Sequence, residues 1–320
     1  MSKKQADGQG VVFRKDLGQY TVHSNGREIA CALSARLHKN LSHPRVVQQV
    51  REHEHLDPPA IGDQVRFLEA GHGSGRITEI LPRRNQLSRQ DSLPGHASLE
   101  QVIVANIDQV LPVFAAASPS PKWALLDRYL VSAEAAGLPA LICITKTDLA
   151  GQNPALEESL EEYRRIGYRF QLVSTVSGAG VEELKQQLSG RISVLVGKSG
   201  VGKTSLLNAL QPGLGQRVRQ VSQGKQGKGM HTTTRLEMFA LDQGGALIDT
   251  PGMREFGLWA VNGQDLALHF PEMRPLVGSC KFGLGCRHDQ EPGCSIRRAV
   301  MNGKISPYRY QSYLKLRGTP

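Results

Sequence analysis

The stretch of this 320-residue sequence that most clearly indicates a chemical function is a glycine-rich loop that begins at Gly197. Its spacing is G-x-x-x-x-G-K-[ST], in which the glycines let backbone N–H groups turn inward around a phosphate. In that pattern Lys203 brings a positive charge to the β- and γ-phosphate oxygens, and the Thr204 hydroxyl is a ligand for Mg²⁺. The sequence therefore predicts a nucleotide site formed by Gly197, Lys198, Ser199, Gly200, Val201, Gly202, Lys203, Thr204 and Ser205.

Two other segments have the residue types that recognise a nucleotide base. In Thr145-Lys-Thr-Asp148 the carboxylate can accept hydrogen bonds from N1–H and the exocyclic amine of guanine, a donor pair that adenine lacks. The Lys146 stem can lie along the base, and Ser174-Thr175 ends a second predicted strand and could offer backbone donors. The tetrapeptide alone is equally compatible with a simple turn. The predicted base-binding residues are Thr145, Lys146, Thr147, Asp148, Ser174 and Thr175.

A third segment has the pattern D-x-x-G and follows a predicted buried strand. Its Asp249 is placed as an outer-shell ligand of Mg²⁺, and its Gly252 N–H can contact the γ-phosphate. Just upstream, the run Thr232–Thr234 has hydroxyls that could reach the metal ion. The predicted Mg²⁺ ligands are Thr204, either Thr233 or Thr234, and Asp249 in the outer shell.

A cysteine-rich segment near the C-terminus has the ligand types of a zinc site. Its spacing is Cys280-x₅-Cys286-x-His288-x₅-Cys294. Three thiolates and one imidazole complete a tetrahedral Zn²⁺ shell and leave no open position for catalysis. We therefore expect one structural zinc ion per chain, which would hold together a segment that has few apolar residues.

The elements that must position these residues change in kind along the chain. From residue 10 to about residue 89, short strand-like segments separated by glycines predict a small β-barrel, either a plain all-β domain or an oligonucleotide-binding one. Residues 83–96 are polar, lack periodicity and are predicted to be a linker. Beyond them, apolar strands that begin at Gln101–Ala105 alternate with amphipathic helices, which indicates a mostly parallel α/β sheet.

The net charge of +10 is concentrated near the C-terminus, where residues 274–320 contain nine Lys or Arg and only two Asp or Glu. This asymmetry favours a polyanionic partner, although a solvated basic surface is the commoner outcome. Arg297-Arg298 and the helix-like segment 307–316, in which cations alternate with tyrosines, would suit RNA phosphates and exposed bases. The tyrosines are equally compatible with core packing.

No apolar run approaches the roughly 18 residues that span a bilayer, and no apolar stretch follows residues 1–7. The sequence therefore predicts a cytoplasmic protein that has no membrane partner.

The order of the nucleotide motifs is unusual, because Asp148 and Ser174 precede the loop at Gly197. In this the sequence resembles the circularly permuted GTPases. With the barrel in front, the segments 229–234 and 249–256 and the cysteine cluster behind, it is similar to the RsgA family of small-ribosomal-subunit-dependent GTPases over nearly its whole length. Two departures are Thr145, where the family usually has asparagine, and the five residues between Cys280 and Cys286, one more than expected.

The resemblance implies GTP hydrolysis to GDP and phosphate, stimulated by the small (30S) ribosomal subunit and its rRNA during late subunit maturation. It also implies three domains, a monomer, and the multidomain α/β fold class: an N-terminal OB-type β-barrel (1–90), a circularly permuted P-loop GTPase domain (91–262) and a zinc-binding helical C-terminal domain (263–320). Two other classes stay open, a P-loop kinase or transport ATPase without guanine preference, and an RNA-binding protein that does not turn over nucleotide.

A histidine is our candidate for orienting the attacking water. Many GTPases place a glutamine directly after D-x-x-G, but here Met253 occupies that position and cannot orient water. His231 lies at the end of a glycine-rich stretch, 212–231, which is either a mobile functional loop or disordered. Its imidazole can position or partly deprotonate water near neutral pH, whereas the alternative is a solvated or RNA-contacting histidine. The predicted catalytic residues are His231, Lys203 and Thr204.

Overall fold

The computed structural model describes residues 6–16, 18–37, 58–91, 99–223, 236–249 and 265–318. The strands are β1 (Ala6–Asp16), β2 (Gln19–Ser24), β3 (Arg27–Leu33), β4 (Gln64–Gly71), β5 (Ser74–Ile80), β6 (Gln86–Asp91), β7 (Leu99–Ala105), β8 (Gln109–Ala115), β9 (Leu141–Thr145), β10 (Arg169–Leu172), β11 (Ile192–Val196), β12 (Glu237–Ala240) and β13 (Ala246–Asp249). The longer helices are α1 (Trp123–Ala135), α2 (Pro154–Ile166), α3 (Val181–Leu188), α4 (Lys203–Leu210), α5 (Leu214–Gln223), α6 (Ser295–Met301) and α7 (Pro307–Arg317).

Strands β1 to β5 close into a small barrel. β1 pairs with both β2 and β4, and β3 pairs in parallel with β5, which gives the closed order β1-β2-β3-β5-β4-β1. Because side chains alternate along a strand, Val12, Val22, Val65, Phe67 and Ile77 all point into one buried core. The predicted OB-type β-barrel is confirmed.

Residues 83–91, the described part of the linker predicted at 83–96, include a strand. β6 and β7 make an antiparallel hairpin in which Gln86 lies opposite Ala105 and Asp91 opposite Leu99. The domain boundary predicted at residue 90 therefore falls within a strand. The segment Gln101–Ala105, predicted as the first strand of the α/β sheet, belongs to this hairpin instead.

The α/β sheet has the strand order β10-β9-β8-β11-β13-β12, and all its neighbours are parallel except β12 with β13. The central strand β8, which the sequence reasoning missed, is buried along its whole length. Helices α1 and α2 pack on one face of the sheet, and α3, α4 and α5 pack on the other. Of the residues predicted from periodicity to form the apolar helix faces, Trp123 is half-buried and the others are buried, namely Leu126, Leu130, Ala133, Leu156, Leu160, Tyr163, Val181, Leu184 and Leu188.

The glycine-rich stretch after α4 was predicted to lack regular structure along its whole length, but part of it is helical. Residues 214–223 form α5, whose Leu214 and Val218 lie four residues apart and are both buried. The backbone N–H of Gly215 donates to the Asn208 side chain at 2.9 Å, which anchors α5 against α4. The rest of that stretch, 224–231, lies outside the described residues.

Barrel and α/β sheet share a continuous backbone ladder. β1 pairs with β12, with Arg14 opposite Glu237, which joins the two into one eleven-stranded sheet. On the barrel side, the Arg83 guanidinium donates to both carboxylate oxygens of the fully buried Asp63 at 2.8 and 2.9 Å, which ties the segment after β5 to the residue before β4. The pairing of β1 with β12 thus attaches the barrel to the α/β sheet.

The C-terminal body packs on α1 through a buried arginine of α7. Arg309 has no exposed surface, and its guanidinium donates to Asp127 of α1 and to Glu272 at 2.7 Å. Asp127 also accepts a hydrogen bond from the Tyr163 hydroxyl at 2.6 Å. Arg309 and the buried Tyr313 therefore do not belong to the RNA-binding surface that the alternation of cations and tyrosines suggested.

Within the part of the chain that the structure describes, no helix combines the length and the apolar character needed to cross a bilayer.

We predict that Arg309→Met strongly destabilises the chain, because Asp127 and Glu272 would stay buried without a cation. Removing one member of a buried ion pair costs about 3–5 kcal/mol of unfolding free energy. The exposed Arg298 of α6 is the matched control, and Arg298→Met should change stability by no more than about 0.5 kcal/mol. Denaturant unfolding of both variants measures the difference, and equal losses would contradict this account of the buried network.

Candidate functional site

The predicted nucleotide residues gather at one edge of the α/β sheet. Strands β8, β9, β10, β11 and β13 run parallel, so their carboxyl ends meet there. The loop after β9 begins at Lys146, the loop after β10 contains Ser174, and the glycine loop follows β11. Asp249, the last residue of β13, lies beside Leu195 of β11. Segments about a hundred residues apart in the chain thus become neighbours.

The glycine loop has the backbone that phosphate binding requires. Gly200 and Gly202 have φ of 83° and 91°, in the left-handed region that favours glycine. At Gly197 a Cβ atom would come within 2.5 Å of the Val113 carbonyl oxygen of β8, so a side chain does not fit there. α4 begins directly after Gly202, and its free N–H groups point toward the loop.

The Lys203 ammonium is held at this loop by backbone carbonyls. It donates to the carbonyl oxygens of Gly197 at 2.6 Å and of Lys198 at 2.9 Å. Burial lowers the pKa of Lys203, whereas the buried Asp249 carboxylate acts in the opposite direction and favours the charged form. A partly desolvated ammonium in this position would bind a phosphate oxygen more strongly than one in water would.

The Asp148 carboxylate, which is predicted to read the base, is positioned by the neighbouring loop. The Ser174 hydroxyl donates to Asp148 Oδ1 at 2.6 Å and accepts the Ser177 N–H at 3.2 Å. Ser174 is buried while Asp148 is exposed. One oxygen of the Asp148 carboxylate is therefore held by Ser174, while the side chain stays accessible to a ligand. The sequence suggested only backbone donors from Ser174, and its side chain adds a role that was not predicted.

Thr145 and Lys146 both contact the glycine loop. The Thr145 hydroxyl is buried and donates to the Val201 carbonyl, and the Lys146 ammonium donates to the Gly200 carbonyl at 2.8 Å and to the Ser118 carbonyl. Lys146 itself has a left-handed φ of 55°. The end of β9 and the loop that begins at Lys146 are therefore joined to the glycine loop by side-chain hydrogen bonds. The expected contact of the Lys146 stem with the base stays a prediction.

The Mg²⁺ side of the site is described in part. Thr204 lies in the first turn of α4, and Asp249 ends β13 beside the glycine loop. Their hydroxyl and carboxylate oxygens are the hard donors that Mg²⁺ prefers, so the residues present fit the ion. Other predicted residues lie outside the described residues, namely His231, Thr232, Thr233, Thr234, Gly252 and Met253.

The predicted zinc ligands converge in the C-terminal body. The ligand atoms of Cys280, Cys286, His288 and Cys294 lie within 4.8 Å of one another, and all four residues are buried. Cys280 Sγ lies 3.8 Å from Cys294 Sγ, and both sulfurs lie 3.5 Å from His288 Nδ1. Tetrahedral Zn²⁺ with ordinary bond lengths separates two sulfurs by roughly 3.8 Å and a sulfur from a nitrogen by roughly 3.6 Å. The cluster can hold a metal ion, and its geometry suits zinc.

The tyrosines of α7 position the ligand loop of this cluster. The Tyr310 hydroxyl donates to the His288 carbonyl at 2.7 Å, and the Tyr313 hydroxyl donates to the Arg287 carbonyl at 3.0 Å. Backbone N–H groups of Ser295 and Arg297 reach the sulfurs of Cys280 and Cys294 at 3.2 and 3.5 Å. Of the two interpretations that the sequence left open for the tyrosines, the structure favours packing for Tyr310 and Tyr313, whereas Tyr308 is 40% exposed.

The arrangement of these loops identifies the class of protein. A parallel sheet that presents a glycine loop of the P-loop pattern and the aspartate of a T-K-x-D segment at one edge, with Asp148 and Ser174 earlier in the chain than the glycine loop, is the arrangement of a circularly permuted P-loop GTPase. The N-terminal barrel and the C-terminal Cys₃His cluster are the other two parts of this architecture. Within the class of permuted GTPases, comparisons with known proteins identify the family.

Residues 80–259 match the family model for the RsgA GTPase. The chain is 46% identical over 261 residues to the small ribosomal subunit biogenesis GTPase RsgA of Gemmatimonas aurantiaca, covering 81% of this chain and 83% of that protein. It is 44% identical over 270 residues to the protein of the same name from Azotobacter vinelandii, covering 83% of this chain and 77% of that one.

Two solved structures are also similar to this chain over nearly its whole length. The crystal structure of YjeQ from Thermotoga maritima matches with a TM-score of 0.76 at 30% identity, over 98% of both chains. That of YloQ, described as a circularly permuted GTPase, matches with a TM-score of 0.70 at 27% identity, over 99% of this chain and 96% of the other. This chain belongs to the RsgA GTPase family and is a GTP hydrolase.

We predict that two substitutions separate phosphate recognition from base recognition. Lys203→Ala should weaken binding of every nucleotide, because it removes the ammonium from the glycine loop. Asp148→Asn should lower the preference for GTP over ATP by about 10- to 100-fold, the effect of losing a charged hydrogen-bond acceptor. Asp242→Asn, on an exposed turn, is the matched control. Binding titrations give the ratios, and an unchanged preference in Asp148→Asn would show that the base assignment is wrong.

We predict one zinc ion per purified chain. Cys280→Ala should lose the metal, whereas Cys31→Ala, in the barrel core, should keep it. Chelation should unfold the C-terminal body while GTP binding stays largely intact, because the cluster and the glycine loop have no ligand in common. Elemental analysis, circular dichroism and nucleotide titration measure these effects, and a metal-free chain with an ordered C-terminal body would contradict the prediction.

Proposed function

We propose that this chain hydrolyses GTP to GDP and phosphate as a timing switch in late maturation of the small (30S) ribosomal subunit, and that the subunit stimulates hydrolysis. The observation that supports this most is the 46% identity, over 81% of the chain, to a protein named for small ribosomal subunit biogenesis. The glycine loop and the Asp148 and Asp249 carboxylates, which we propose as parts of the GTP site, follow or end neighbouring or nearby strands of one parallel sheet.

In this proposal the described residues divide the work of binding GTP. Backbone N–H groups of residues 199–204 surround the β-phosphate, and Lys203 leaves the carbonyls of Gly197 and Lys198 to bind phosphate oxygens. Asp148, supported by Ser174, accepts hydrogen bonds from guanine. Thr204 and Asp249 would hold Mg²⁺ together with Thr233 or Thr234, and the ion supplies positive charge to the phosphates when bound.

His231 is proposed to position the attacking water. Met253 cannot do so, and an imidazole can accept a proton from water near neutral pH. His231 stands shortly before the threonines proposed for Mg²⁺, so a contact of this stretch with the ribosomal subunit would act directly on the γ-phosphate side of the site. Lys203 and Thr204 complete the proposed catalytic set.

The proposed partner is the rRNA of the subunit, and the proposed metal of the Cys₃His cluster is a structural zinc ion. Arg298 and Lys304 lie exposed on and just after α6, so the C-terminal body has free cations for phosphate contacts even though Arg309 is buried. We further propose a monomer in the cytoplasm with three domains, as predicted at 1–90, 91–262 and 263–320 except that the first boundary is moved out of β6 (Gln86–Asp91).

The experiment that tests this function compares GTP and ATP turnover with and without purified small subunits. We expect slow GTP turnover by the chain alone, clear stimulation by small subunits and little ATP turnover. Large subunits at the same concentration are the control for nonspecific RNA effects. Equal stimulation by both subunits, or none by either, would contradict the proposed partner while leaving the GTPase assignment intact.

We predict that His231→Ala binds GTP and the small subunit normally but loses most of the subunit-stimulated hydrolysis. Positioned acid–base groups contribute about 10²- to 10⁴-fold in rate, so the loss should be large. Single-turnover hydrolysis at saturating small subunits is the measurement. A variant rate within about threefold of the parent, far below that range, would remove His231 from the mechanism.

A further inference from the structure

The loop after β9 does more than present a base-reading aspartate. The side chains of Thr145, the last residue of β9, and of Lys146, the first residue of the loop, reach two consecutive carbonyls of the glycine loop, Thr145 donating to Val201 and Lys146 to Gly200. Thr145 is almost completely buried at 1% exposure, and the Phe114 carbonyl of β8 lies 3.2 Å away on its other side. A hydroxyl has one proton to donate, and here it is committed to the backbone.

The direction of a carbonyl fixes the direction of the next N–H. In a planar trans peptide the C=O of one residue and the N–H of the following residue point to opposite sides. A Val201 carbonyl held toward Thr145 therefore turns the Gly202 N–H away from the base loop. Gly202 has the left-handed φ of 91° that this turn of the loop needs, and α4 begins at the next residue. The Gly202 N–H thus belongs to the set of donors that face the phosphates.

We infer that Thr145 is a positioning residue of the phosphate site and does not read the base. It holds the Val201 carbonyl so that the Gly202 N–H stays aimed at the bound phosphate, and guanine selection falls to Asp148. The inference rests on the proposed binding of GTP phosphates by residues 197–204.

The test compares GDP with two ligands that each represent one part of it, inorganic pyrophosphate for the phosphates and guanosine for the base. Thr145→Val keeps the shape of the side chain but removes the donor, so the Val201 carbonyl loses its partner. Binding of GDP and of inorganic pyrophosphate should weaken by the same factor, about tenfold, while binding of guanosine stays within about twofold. Competition against a fluorescent GDP, calibrated separately for each variant of the full chain, gives all three affinities.

Two further variants separate positioning from a general loss of structure. Thr145→Ser keeps the hydroxyl and should restore pyrophosphate binding to within about twofold of the parent. Thr78→Val removes an exposed hydroxyl that donates to the Arg66 carbonyl at 3.2 Å in the barrel, and it should change none of the three affinities. Thr145→Ala should give the same split between ligands if the valine variant fails to fold.

Each other outcome overturns the inference. Weaker guanosine and GDP binding with unchanged pyrophosphate binding would make Thr145 a base-reading residue. Unchanged binding of all three ligands would make its hydrogen bond idle, and failure of serine to rescue would point to packing. If pyrophosphate does not compete with GDP on the parent chain, the proposed phosphate site at residues 197–204 is wrong. The assay with ribosomal subunits tests the proposed partner and would not give this result.

Discussion

The fold depends on one constraint of parallel sheets, which is that all the strands deliver their following loops to the same edge. Strands β8, β9, β10, β11 and β13 obey it, so the base loops, the glycine loop and Asp249 meet whatever their order in the chain. A circular permutation therefore changes where the chain begins and ends without changing the site. What it does change is which domains are attached, since the barrel now precedes the base loops and the Cys₃His body follows Asp249.

The hydrogen bonds between the two nucleotide loops turn proximity into a fixed geometry. Ser174 holds Asp148, while Thr145 and Lys146 hold the glycine loop, and each bond joins segments that are at least 26 residues apart. The barrel is attached to the α/β sheet through the pairing of β1 with β12, and the C-terminal body is attached to α1 through Arg309.

Local patterns predicted most of this structure. The glycine loop, the cysteine spacing and the barrel strands are each set by residues close together in sequence. The strand β8 was missed because Pro112 lies within it and a proline argues against a central strand. The buried Arg309 was missed because charge counts do not show which cation has acidic partners far along the chain, here Asp127 and Glu272. The side-chain role of Ser174 had no sequence signal beyond its place at the end of a strand.

The central claim is that a permuted chain builds one nucleotide site from loops held together at the sheet edge. A crystal structure of the full chain with GDP and Mg²⁺ tests it most directly. The account predicts guanine on the Asp148 carboxylate, the β-phosphate within residues 197–204, and the Lys203 ammonium moved from the carbonyls of Gly197 and Lys198 to a phosphate oxygen. A nucleotide bound elsewhere, or a Lys203 ammonium still on those carbonyls beside a bound nucleotide, would contradict it.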